Sequence, residues 1–487
     1  MNTQTQADKR MNNNDLSLTA RLSLLSEAAP ALARATAPRL PELVQRQALH
    51  TPHALALVRH FIDIRHPQRE FEQEVWAVVH DYLQGLDSAY ATSVRALKSP
   101  QPAAVVHGAL LQRLENLALL ALWHCLRYQP PPESYWRALH AAYLMAESVE
   151  AVAVEAAARY LQVLVLDSVD HGNLSRREIA LVNDWLSQWC RKLELSRTDD
   201  GSAHQFVVDV QAPHGARYLR QHDMAADGRY WRMDDIVAKL QAMRDLIGHS
   251  RLPPEFPRST PLPNALRLVN KLLLAWAPEV AQRERRKEER RSVVKPAQVV
   301  HGIFNVCQHL KNTGFVAAYQ RAEPDDSVMA QSGWQISNES GLGYGALVQA
   351  DTNRWLEPGC LIAMNDDLNR GLTAIGIVRS IEQRTPQQYF AGVEVLSHMP
   401  SYVRLQRLTA DNPIAEASLP FPAIFLPAGD EPAQPSTLVL PLADYETGAV
   451  YEMRTPQLAH LAQTGEVIEQ QADWVRVAVE VAADITL

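Results

Sequence analysis

From residue 16 to about 200, apolar positions recur three and four residues apart, the spacing that puts side chains on one face of a helix. Glu70–Leu86 shows it well, with Phe71, Val75, Val78, Val79 and Leu83 on a single stripe. Leu110–Leu126 is apolar nearly all round, which predicts a central, buried helix. Pro130–Leu166 opens on three prolines and continues rich in Ala, Leu and Glu, long enough for one bent helix or two. Ser175 followed by Glu178 is a capping-box pattern ahead of another helix. The period then changes: 201–233 carries short β-rich runs divided by Pro213, Gly215 and Gly228. Helical spacing returns at 234–247 and at 264–277, on either side of a proline-rich loop.

Beyond residue 280 the pattern is almost purely β. Runs at 297–308, 333–349, 358–365, 372–383 and 388–397 are strand-length, rich in Val, Ile and aromatics, and separated by turn residues. Five or six strands in so short a stretch predict a small antiparallel barrel. Residues 418–487 are again β-rich. The expected fold class is α+β multidomain: an N-terminal all-α module, a β-barrel and a small C-terminal β-rich extension. The boundaries read as a disordered tail 1–15, a mainly helical module 16–280 with its β-rich segment near 205–233, an Arg-rich linker 281–292, a barrel 293–408 and an extension 409–487. No fixed-period repeat is visible.

Composition narrows the function classes. The chain of 487 residues is 47% hydrophobic, enough for sizeable cores, and its net charge of −8 argues against a general DNA or RNA binder. Cys125, Cys190, Cys307 and Cys360 form no CxxC pair, so no zinc ribbon or redox dithiol is expected. The longest apolar stretch, 151–166, is short for a membrane span and contains Glu155 and Arg159. These features predict a cytoplasmic protein with no membrane span. The histidines lack metal-ligand spacing, and no nucleophile elbow or P-loop occurs, so neither a metal site nor a catalytic residue is assigned.

Two segments carry candidate chemistry. The first is Arg283–Arg291, with six basic and three acidic residues, in which Arg286 and Arg290 form an RxxxR spacing. The second is Asn338-Glu339-Ser340-Gly341-Leu342-Gly343, an NxSxxG spacing within a strand-and-turn segment. A guanidinium fork binds phosphate or a guanine edge bidentately, and its flat face stacks on a purine. An amide such as that of Asn338 reads a base edge, Ser340 offers a small hydroxyl, and Gly343 permits close backbone approach or positive φ. Alone, the charge run reads as a solvated helix end and the second segment as an ordinary hairpin turn.

The two motifs in this order, ahead of and within a small barrel, resemble the PilZ family, and Ala391–Ser397 resembles its closing strand. The resemblance spans about 283–400. It implies a receptor for cyclic di-GMP, with Arg286, Arg290, Asn338 and Ser340 as ligand contacts and Gly343 giving the site its shape. Arg285 and Arg291 are additional contacts, since the arginines crowd together and Lys287–Arg291 offers an alternative spacing. The expected function is a bacterial non-enzymatic effector without a cofactor. Cyclic di-GMP at the barrel would be coupled to the helical module, through which a protein partner is expected. The alternative is a constitutive interaction scaffold whose barrel binds no nucleotide. From Arg290 to Asn338 is 48 positions, long for a compact barrel, so 309–331 is expected to hold an insertion or elongated hairpin.

Overall fold

The computed structural model describes residues 16–34, 39–63, 69–96, 102–199, 205–219, 225–277, 290–316, 332–366, 373–385, 387–408, 419–428, 435–455 and 458–482. The chain divides into two compact units. One comprises Met1–His171, Arg176–Gln241 and Leu272–Ala281, the other Gly172–Ser175, Ala242–Lys271 and Gln282–Leu487.

The first unit is built on α1 (Leu18–Ala33), α2 (Leu40–Asp63), α3 (Arg69–Arg95), α4 (Ala103–Cys125), α5 (Glu133–Glu147), α6 (Glu150–Asp167) and α7 (Arg176–Trp189). The predicted stripe on α3 faces inward, with Val75, Val79 and Leu83 buried. The long run after Pro130 is two helices, broken at Ser148 and Val149. Among the described residues α4 is the one helix long and apolar enough to cross a membrane, yet 56% of that apolar window is buried inside the protein. Its position in the bundle accounts for its composition: Leu110, Leu114, Leu117, Ala121 and Trp123 are core residues.

A three-stranded antiparallel sheet follows, of β1 (Gln205–Asp209), β2 (Arg217–Tyr218) and β3 (Gly228–Arg232), with β1 in the middle. Arg229 of β3 is buried and reaches Glu147 at the end of α5 through two hydrogen bonds of 2.8 and 2.9 Å. A buried guanidinium needs such a partner, and the pair ties sheet to helix. Then come α8 (Asp234–Gly248) and α9 (Leu262–Trp276), each divided between the two units.

The second unit holds two closed barrels of six antiparallel strands. The first uses β4 (Arg291–His301), β5 (Ser332–Ser340), β6 (Gly343–Gln349), β7 (Leu361–Asp366), β8 (Thr373–Thr385) and β9 (Gln388–Ser397), in the order β4-β5-β6-β9-β8-β7. The C-terminal β-rich part is a complete second barrel, in the order β10-β11-β12-β15-β14-β13. Its strands are β10 (Ser401–Leu408), β11 (Phe421–Leu426), β12 (Thr437–Pro441), β13 (Val450–Arg454), β14 (Ala459–Gln470) and β15 (Trp474–Ala482). Residues 401–408, grouped with the first barrel on sequence, thus supply the first strand of the second.

One expected strand is only half a strand. The run 297–308 stays extended to His301, turns at Gly302 (φ 79°), and continues as helix α10 (Ile303–Val316). A left-handed φ suits glycine, and it redirects the chain from sheet to helix within one residue. Val306, Cys307 and Leu310 on α10 are buried in one core with Leu361 and Ile375 of the first barrel and Ile424, Val439 and Trp474 of the second. Two barrels therefore share a helix that lies between β4 and β5 in sequence. The expected insertion at 309–331 begins within α10; its residues 317–331 lie outside the described ones, as does the tail 1–15.

Candidate functional site

The register of β4 on β5 brings the two motifs together across 48 positions. Arg291 lies opposite Glu339 and Ser292 opposite Asn338. Strand β5 then turns through Gly341 and Leu342 into β6, with Asn338 opposite Gly345 and Ser340 opposite Gly343. The long separation is spanned in part by α10.

Arg290, exposed just before β4, donates from Nη1 to Asn338 Oδ1 at 3.1 Å. A flat cation and a flat amide, both able to read a base edge, are thus paired at the surface. Ser340 Oγ donates to Gly343 O at 3.5 Å, a long contact across the turn. The turn is anchored on the end of β9, where Val395 N donates to Leu342 O (3.0 Å) and His398 Nε2 to Gly341 O (3.2 Å).

Gly343 is required by proximity. A Cβ there would lie 2.4 Å from Val393 O, a backbone atom with nowhere to go, while its φ is not among the positive ones. Of the two roles expected for this glycine, close approach is the one seen. Gly345, opposite Asn338, does similar work: a Cβ would meet Asn338 Nδ2 at 2.6 Å and Phe390 Cζ at 2.6 Å. The amide and the ring tip therefore rest over the same bare backbone.

Arg291 points to a different partner from Arg290. Its Nη2 donates to Glu339 Oε1 at 2.6 Å, and Lys295 Nζ sits 2.5 Å from Glu339 Oε2. The hydrogen bond from Lys295 first, and that from Arg291 next, hold the Glu339 carboxyl below its usual range. Lys295 is buried, and its stem packs where an apolar residue of β4 would otherwise stand. This ion pair links β4 to β5 beside the turn.

Of the residues expected at the site, Arg290, Asn338, Ser340 and Gly343 are brought together, and Arg291 lies beside them on Glu339. Arg285 and Arg286, with Lys287, lie outside the described residues. Sequence reasoning passed over Lys295, Gly345 and Phe390. For Gly345 a signal existed in the Gly-Leu-Gly-Tyr-Gly run; Lys295 and Phe390 depend on cross-strand register, which no local pattern reveals.

Comparison with known families adds one finding. Residues 4–200 match the family model described as the N-terminal domain of the cyclic-di-GMP receptor FimW. The matched stretch is the helical region and stops short of both barrels. No curated protein matches the chain.

Proposed function

We propose that this protein is a cyclic di-GMP receptor of the PilZ type, binding its ligand on the outer face of the first barrel. The observation that carries the reading is the Arg290–Asn338 pair, formed by an arginine run and an NxSxxG turn that β4–β5 pairing makes neighbours. The resemblance of residues 4–200 to the N-terminal domain of a cyclic-di-GMP receptor supports the same ligand from an independent part of the chain. Arg290, with Arg286 upstream, supplies charge and a stacking face for phosphate and guanine. Asn338 reads a base edge, Ser340 sets the turn, and Gly343 keeps the floor low.

The role is reception, without catalysis. Ligand phosphates neutralise the arginine run that precedes β4, and the ligand's differential affinity for two states of the receptor drives the response. The helical region is the output side, reached through the same run. Calorimetric titration of cyclic di-GMP into the full chain tests the reading. Saturable binding in the micromolar range or tighter is expected, with Arg290→Ala weakening it tenfold or more. No heat and no thermal shift at millimolar ligand would leave the rival account, a scaffold with a nucleotide-free barrel.

A further inference from the structure

Beyond Asn338 the same outer face of the first barrel continues into an aromatic surface. Register places Gly345 opposite Gly392, and Leu347 opposite Phe390, so these residues share one face of the sheet with Asn338. Two glycines lower the floor there, and the Phe390 ring tip settles over Gly345 beside the Asn338 amide. Phe390 is half-buried. The Arg384 guanidinium carbon stands 5.4 Å from the Phe390 ring centroid, within cation–π reach. Arg384 is about half exposed, and its partner Glu382, 2.9 Å away, is equally open to solvent. A surface pair of that kind is worth little and is readily exchanged.

The result is a continuous row across β5, β6, β9 and β8. A guanidinium (Arg290) and an amide (Asn338) are followed by a bare glycine, an aromatic ring (Phe390) and a second guanidinium (Arg384). Flat groups with π faces, flanked by cations at both ends, suit a planar, electron-rich ring attached to an anionic backbone. We infer that Phe390 and Arg384 form a second base subsite, on which a purine of the bound cyclic dinucleotide stacks while Asn338 reads the neighbouring base edge. This inference rests on the proposed function and adds residues to it from outside both motifs.

Stacking tolerates any base, because every base has a π face, whereas an amide discriminates. The two halves of the row should therefore fail differently. Binding of cyclic di-GMP and of the mixed guanine–adenine cyclic dinucleotide is measured by calorimetry for the full chain and for Arg384→Ala, Arg384→Lys and Phe390→Leu. Arg384→Ala and Phe390→Leu should each weaken both ligands about tenfold and to a similar degree. Arg384→Lys should rescue little, since an ammonium has no flat face to stack. Asn338→Ala should weaken cyclic di-GMP more than the mixed dinucleotide. Arg384 is a surface residue, so its variants keep the test valid should Phe390→Leu fold poorly. If the parent protein binds and Arg290→Ala weakens it, but Arg384→Ala and Phe390→Leu leave affinity unchanged, the subsite is refuted and the receptor reading stands. If the parent protein binds no cyclic dinucleotide, both fall.

Discussion

The two barrels follow one plan. In each, six antiparallel strands close in the order first-second-third-sixth-fifth-fourth. They differ at one end, where the first strand begins and the second strand finishes. In the first barrel that end carries Arg290, the two-residue turn at Gly341–Leu342 and the Glu339–Lys295 pair. In the second, β10 is entered through His398, Met399 and Pro400, and ten residues separate β11 from β12. That end opens into a cavity of about 430 Å³ lined by Val403, Phe425, Met453 and His460. Strand order thus fixes the scaffold, and the chemistry comes from one hairpin and the few residues leading into the first strand.

The sharpest way to break the comparison is to cut the joint between the barrels. Arg379 on β8 donates to Glu469 on β14 at 2.5 and 2.8 Å, and to Glu394 on β9 at 2.6 Å; Arg267 of α9 meets the same Glu469 at 2.8 Å. Glu469 is buried, so removing its bidentate partner leaves a poorly compensated charge. Arg379→Ala should cost about 3–5 kcal/mol, read as a large fall in the thermal midpoint. Unchanged stability would show that the barrels hold together without this joint.

Acid should work on the same joint more gradually. Burial alone would raise the Glu469 carboxyl, but the Arg379 hydrogen bonds and the charges of Arg379 and Arg267 win and hold it at about 2. Its folded pKa lies below the unfolded value of 4.5, so its contribution is full above pH 4.5 and drains away as pH falls toward 2. Stability of the full chain measured between pH 6 and 2.5 should fall with this profile. Glu469→Gln should be less stable at pH 6 and flatter across the range.

Third in size is a contrast between equivalent barrel ends. Arg290→Ala should weaken cyclic di-GMP about ten- to a hundredfold, the value of a charge-assisted contact of roughly 1.5–3 kcal/mol. Ser401→Ala, at the matching end of the second barrel, should leave affinity unchanged. Equal losses by titration would place the ligand elsewhere.

The smallest effect on stability separates two glycines. Gly345→Ala pushes only on the ends of Asn338 and Phe390, which can rotate away, so it should cost about 1 kcal/mol while reducing affinity about tenfold. Gly343→Ala meets Val393 O and should destabilise more. Thermal melts and titrations on both variants check this order.

Much of the helical half was legible because amphipathic spacing is local: the stripe of α3 and the all-round apolarity of α4 mark the core residues directly. The residues of the two motifs were legible for the same reason. The 297–308 run misled because a short apolar segment suits strand and helix alike, and only Gly302 marks the change. The shared plan of the barrels was invisible, since strand order is set by pairing between distant segments and the second barrel lacks the turn that gave the first away. Phe390 and Lys295 were hidden likewise: register decides which side chain lies beside Asn338 or Glu339, and register is a property of two strands at once.

The placement of α10 has a practical consequence for dissecting the molecule. A fragment ending at Pro400 keeps every strand of the first barrel, yet strips Ile424, Leu426, Val439 and Trp474 from the face of Val306, Cys307 and Leu310. It would present a fresh greasy surface to water and to its own copies, and stick. A piece beginning at Ser401 would lose the opposite wall. The two barrels therefore cannot be parted without loss, and a binding measurement on the first barrel alone would report on a damaged protein.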